Sequence, residues 1–233
     1  MRTLGYILLS SLLLALPLRM EAQESIQSKA DAGKKKSSFF SLNSMSVSAD
    51  IFGYAYSLLG EYTSGEAAVN VNLGNRLYPT VEIGAGWCST TDETTGIKYK
   101  TAAPYYRVGF DYNFSTTKEK PNPPYAILGI FRFAWTSGKY DVQAPPITDP
   151  VWGGEASLNL TDVKGSASWA EIGVGLRMKI AKNFHMGWSI RYKARISQKK
   201  GEQSQMWYIP GYGINKSTGF GGTYSFIYEI PFK

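Results

Sequence analysis

The sequence is poor in the residues that build cross-linked or reactive sites. It has one cysteine, Cys88, and one histidine, His185, in 233 residues. A single cysteine makes no intramolecular disulfide, and a single histidine builds no histidine-rich metal centre. CxxC, HExxH and phosphate-cradling signatures are missing; Gly219-Phe220-Gly221-Gly222 is aromatic and opens a strand pattern rather than a helix. Beyond the N-terminal segment there is no run of about 18 apolar residues, which excludes a transmembrane helix from the rest of the chain. No catalytic residue, metal or cofactor is therefore expected, and a secreted soluble domain is the default against which other readings compete.

The N-terminal segment has the layout of a secretory signal. Met1 and Arg2 form a short basic start, Ile7 to Leu18 is apolar apart from Ser10, Ser11 and Pro17, and small and polar residues follow. Residues 1–22 are read as a signal peptide cleaved after Ala22, which removes Arg2, Arg19 and Glu21 and lowers the net charge from +7 to +6. Residues 23–45, with Lys34-Lys35-Lys36, read as a flexible basic lead-in. Its exported context argues against a nucleic-acid-binding arm.

What is abundant is glycine, 24 residues, and aromatic side chains, 14% of the chain, both spread along its length. From Ser46 onward the dominant period is two, the strand period. Val81, Ile83, Ala85 and Trp87 alternate with Thr80, Glu82, Gly84 and Gly86. The same pattern recurs around Val47, in Ala67–Leu73, Tyr106–Phe114, Ile127–Trp135, Ala170–Ile180, Phe184–Ile196 and Phe220–Phe232, giving eight strands. Many reach the roughly 9–11 residues that a tilted strand needs to cross a bilayer. One face is unusually aromatic. The other mixes glycine with charge, and Asp50, Glu82, Arg107, Asp111, Arg132, Glu171, Arg177, Arg191, Lys193 and Glu229 are predicted to form an ionic network inside a narrow lumen. A soluble β-sandwich, with those charges as its solvated exterior, is the alternative.

The connections read as 59–65, 74–78, 88–104, 115–124, 137–168, 181–183 and 198–217, so that apart from the first join, long loops alternate with shorter turns. That asymmetry predicts an all-β, eight-stranded antiparallel up-and-down transmembrane barrel over 46–233, with both termini on the short-turn side.

The chain resembles the small eight-stranded outer-membrane barrels of the OmpA/OmpX-like class, and is similar to an uncharacterised outer-membrane barrel family, a domain of unknown function. The stretches that carry the likeness are DVQAPPITDPVWGG (141–154), KNFHMGWSIRYKARISQKK (182–200) and WYIPGYG (207–213). The alternating aromatic end, Tyr224 to Lys233, is similar to the C-terminal signal read by the barrel assembly machinery, although Lys233 rather than Phe232 is last. The resemblance implies a Gram-negative outer-membrane location and a fold, but no catalytic residues.

Three functions compete. A wide pore is disfavoured, because an eight-stranded lumen is about filled by side chains and its opposite charges should pair. A lipid-modifying enzyme would need His185 near the outer leaflet, whereas the 181–183 turn puts it at the periplasmic end, as a lumen hydrogen-bonding residue. Contact through external loops remains, with Trp152, Lys199, Lys200, Trp207, Tyr208 and Tyr212 as candidates, unless those aromatics instead fold over the mouth and seal it. Expected partners are outer-membrane lipid, lipopolysaccharide and the assembly machinery, with no nucleic acid and a monomeric state.

Overall fold

The computed structural model describes residues 41–51, 53, 62–116, 123–148, 153, 155–199 and 204–232. The signal at 1–22, most of the lead-in, Trp152, Lys200 and Lys233 lie outside them.

Among the described residues twelve strands follow one another: β1 Leu42–Asp50, β2 Tyr62–Leu73, β3 Leu77–Thr91, β4 Lys98–Asn113, β5 Tyr125–Gln143, β6 Ile147–Thr148, β7 Glu155–Ala156, β8 Asn159–Lys179, β9 Phe184–Lys199, β10 Tyr208–Ile209, β11 Gly213–Ile214 and β12 Thr218–Pro231. Eight of them close an antiparallel up-and-down barrel in the order β1-β12-β9-β8-β5-β4-β3-β2, so each barrel strand pairs with the next barrel strand along the chain, and β1–β12 is the closing seam. The short strands form two ribbons in the connections, β6–β7 and β10–β11.

The stagger of the barrel can be read from its register. From Asp50, the ladder runs through Glu66, Gly84, Tyr105, Thr136 and Ala167 to Gln198 in one direction, and through Ser225 to Gly187 in the other. The ends differ by 198 − 187 = 11 residues on β9, one of them the bulge at Ile196. A shear of ten over eight strands belongs to strands tilted at roughly 35–45°.

Alternation places the side chains. Arg132 and Glu171 are 2% and 1% exposed, whereas Val81, Ile172 and Phe220 are 60%, 61% and 77% exposed. The outer face carries Phe114, Tyr125, Phe184 and Tyr228 near the turns, and Trp87, Tyr106, Trp135, Tyr192 and Phe220 towards the loops. Val81, Ile83, Val108, Ile127, Val174 and Ile190 lie between these aromatic bands.

The strand bounds differ from the sequence reading in an instructive way. At the turn end the strand termini meet around the ring, as Leu73 opposite Leu77, Lys179 opposite His185 and Ser44 opposite Pro231 show. The extra length of β4, β5 and β8, with 16, 19 and 21 residues against 9 in β1, therefore stands at the loop end. The expected loops at 88–104 and 137–168 are largely strand, and the β3–β4 connection is only residues 92–97, shorter than the β4–β5 turn at 114–124. β1 starts at Leu42, four residues before the expected barrel boundary at 46.

Candidate functional site

The middle of the lumen is filled by four carboxylates and three guanidiniums. Glu82 on β3 is the hub: Arg132 Nε donates to Oε1 at 2.8 Å, while Arg191 Nη1 and Arg107 Nη1 donate to Oε2 at 2.9 and 3.1 Å. Glu171 on β8 faces Arg107 Nε at 3.0 Å, accepts from Arg191 Nη1 at 3.3 Å and takes the Trp169 indole N–H at 2.7 Å. Asp111 lies 2.7 Å from Arg132 Nη1, and Glu66 receives both Arg107 and the Tyr105 hydroxyl. Every one of these guanidiniums is buried. Burying an ion costs several kcal/mol, and only such multiple charge-assisted bonds offset that cost. The space left here is about 70 Å³.

Above this cluster the β10–β11 ribbon dips into the barrel. Met206, Tyr208, Ile209 and Tyr212 pack with Cys88, Tyr99, Tyr105, Tyr140 and Trp169 from the inner wall. Lumen cations grip its backbone: Arg107 Nη2 donates to the Gly211 carbonyl at 3.0 Å, and Lys193 Nζ donates to the carbonyls of Gly211 and Tyr212 at 2.8 and 3.2 Å. Gly211, at φ +80°, makes the close approach, since a Cβ there would fall 2.5 Å from the Tyr105 ring. Gly86 opens the facing wall for Pro210. Beside the ribbon a cavity of about 400 Å³ is bounded by Tyr62, Tyr105, Lys193, Tyr212 and Phe220.

Residues 3–233 match the model of a family described as a domain of unknown function, DUF6048. The chain belongs to that family. Among curated proteins none matches it. Among solved structures this DUF6048 chain is similar to a major outer membrane protein from Thermus thermophilus, with 14% identity, TM-score 0.45, and 81% of this chain and 99% of that one covered. It is also similar to Ail, the attachment invasion locus protein of Yersinia pestis, solved with the heparin analogue sucrose octasulfate, with 10% identity, TM-score 0.41 and coverage of 82% and 100%. A third is Neisserial surface protein A, with 12% identity, TM-score 0.38 and coverage of 84% and 98%.

At the turn end of the DUF6048 barrel a second polar cluster surrounds Glu229. His185 Nε2 lies 2.7 Å from its Oε2, Arg177 Nη2 donates at 3.5 Å, and the Ser44 hydroxyl donates to Oε1. The serine bonds the carboxylate rather than the histidine, so this is not a nucleophile–base pair. The adjoining turn-end cavity, about 560 Å³, is lined by Asn43, Asn72, Asn75, Asn113 and Tyr78.

All ten predicted lumen residues point inward, in two groups. Two of them do other work. Lys193 holds ribbon carbonyls, and Asp50 accepts the backbone N–H groups of Tyr224 and Gly53 at 2.8 and 3.4 Å. Glu66 was missed, although carrying the alternation back from Asn72 and Asn70 through Ala68 lands on it. Of the predicted external contacts, Trp207 and Lys199 are exposed, but Tyr208 and Tyr212 are buried at 4% and 5%. Their rings complete the aromatic cluster inside the mouth, with Tyr62 stacked on Tyr208 at 5.4 Å and Trp169 edge-on to Tyr212 at 5.6 Å.

Proposed function

We propose that this DUF6048 chain is an integral barrel of a Gram-negative outer membrane, exported by residues 1–22, with its loop end outward and its termini in the periplasm. Its lumen is closed to solutes, and it serves a structural or surface-contact role as a monomer. The observation that carries this reading is the inversion of burial, with arginines and glutamates inside and valine, isoleucine and phenylalanine outside. In water each such exposed side chain forfeits roughly 1.5–3 kcal/mol of transfer free energy, whereas in hydrocarbon the arrangement is the favourable one. The outward alternation of Phe226, Tyr228, Ile230 and Phe232 on the last strand supports recognition by the assembly machinery.

Membrane fractionation tests the location: the mature chain is expected to require detergent and to migrate faster on a gel unheated than boiled. Recovery in the aqueous fraction would defeat the membrane reading; the sandwich alternative is already set aside by the closed ring of eight strands. Planar-bilayer recordings test the lumen, where no large steady conductance is expected. An enzyme acting on outer-membrane lipid has no loop-end constellation to support it among the described residues. His185→Ala is expected to leave lipid A unchanged by mass spectrometry.

A further inference from the structure

Where β4, β5, β8 and β9 rise beyond the outer aromatic band, their outward positions change from apolar to basic. Lys100, Lys139, Lys164 and Lys199 occupy the exposed face of these four consecutive strands. Their register is informative. Lys139 is directly opposite Lys164, Ala102 is opposite Lys139, and Ser166 is opposite Lys199. Lys100 and Lys164 thus each stand two residues loopward of a partner in the ladder. Because the tilt lifts the hydrogen-bond partner by roughly one residue per strand from β4 to β9, these offsets bring the four ammonium groups to about one level. Lys98 extends the row upward on β4.

Like charges directly opposite in a sheet are destabilising. The acidic groups within the row are Asp162, 3.1 Å from Lys139, and Asp141, whose carboxylate accepts the Asp162 backbone N–H. Five lysines against two aspartates leave the face positive. The row also sits at a telling height. Lys139 is four residues beyond Trp135 on the same face of β5, which along a tilted strand is roughly 10 Å. That places the lysines outside the hydrocarbon, in the layer where lipid headgroups lie.

We propose that this lysine row binds the phosphate groups of anionic lipid in the loop-side leaflet, each phosphate bridging lysines on adjacent strands. The proposal rests on the membrane reading above. Lipid phosphate supplies the counter-charge for the lysines of the row that exceed Asp162 and Asp141, and it holds the tall strands against the leaflet.

The test uses the full mature chain in detergent micelles and native mass spectrometry. The probes are a bisphosphorylated outer-leaflet glycolipid and its dephosphorylated form. The wild type is expected to retain the phosphorylated lipid preferentially. Each lysine neutralised, up to K100Q/K139Q/K164Q/K199Q, is expected to weaken retention about fivefold, from about 1 kcal/mol per cation at an anionic surface. The turn-end variant K179Q/K182Q should bind as the wild type does. Equal retention by the quadruple variant, equal binding of the dephosphorylated lipid, or complete displacement by inorganic phosphate at matched concentration would overturn the proposal. Heat-dependent gel mobility of every variant separates this outcome from failure to form a membrane barrel, which would instead defeat the reading on which the proposal rests.

Discussion

At the scale of single residues, the difference between paired charges inside and outside the barrel is the most direct test of the lumen. Glu82 receives three guanidiniums and is buried, so Glu82→Gln leaves Arg107, Arg132 and Arg191 facing one another with less opposing charge. Breaking such a buried network is expected to cost about 3–5 kcal/mol, read from urea unfolding followed by tryptophan fluorescence in micelles. The Lys139–Asp162 pair is the internal control, its side chains 57% and 74% exposed. Asp162→Asn should change stability by no more than about 1 kcal/mol in the same assay. Aspartate also matters at Asp92, in the β3–β4 turn, where the backbone N–H groups of Thr94 and Thr95 and the Thr95 hydroxyl hold its carboxyl below the usual range. A depressed folded pKa stabilises the turn above the unfolded value and is lost as pH falls. The Thr95 amide resonance is therefore expected to shift only below about pH 4.

At the scale of elements, the β10–β11 ribbon is the part whose position follows least from its own sequence. Gly211→Val demands a left-handed backbone from a β-branched residue and drives a side chain into Tyr105. The ribbon is expected to leave the mouth, seen as new protease cleavage between Met206 and Ile214. Local pattern offered this placement beside an exposed one and could not decide between them. Trp207-Tyr208-Ile209-Pro210-Gly211-Tyr212 looks the same whether it faces solvent or the inner wall, and the decision belongs to Lys193, Arg107 and Gly86, distant in the chain. The barrel strands were legible because an apolar outer face and a narrow polar lumen impose strict alternation. The same strands became illegible where they rise beyond the outer aromatic band. Lys98-Tyr99-Lys100-Thr101 and Lys139-Tyr140 still alternate, but with lysine rather than valine outward, and so resemble loop. Glu66 was lost for a related reason, since β2 there is flanked by serine, threonine and glycine.

At the scale of the molecule, the seam between β1 and β12 is the one ladder that joins the two ends of the chain. Glu229→Gln removes the carboxylate shared by Ser44, His185 and Arg177 across that seam and its neighbours. A loss of about 1–3 kcal/mol is expected, together with slower appearance of the heat-modifiable band during refolding, whereas Ser44→Ala should have a smaller effect.

The place of Glu229 on the seam strand gives that carboxylate one more meaning. Arg177 and His185 lie on β8 and β9, whereas Glu229 is carried by β12. Until β12 docks, the turn-end cluster holds a guanidinium without its carboxylate partner, an unbalanced charge at the edge of an open sheet. Closing the ring and neutralising that charge are then one event, so an unfinished barrel carries its own electrostatic mark of incompleteness.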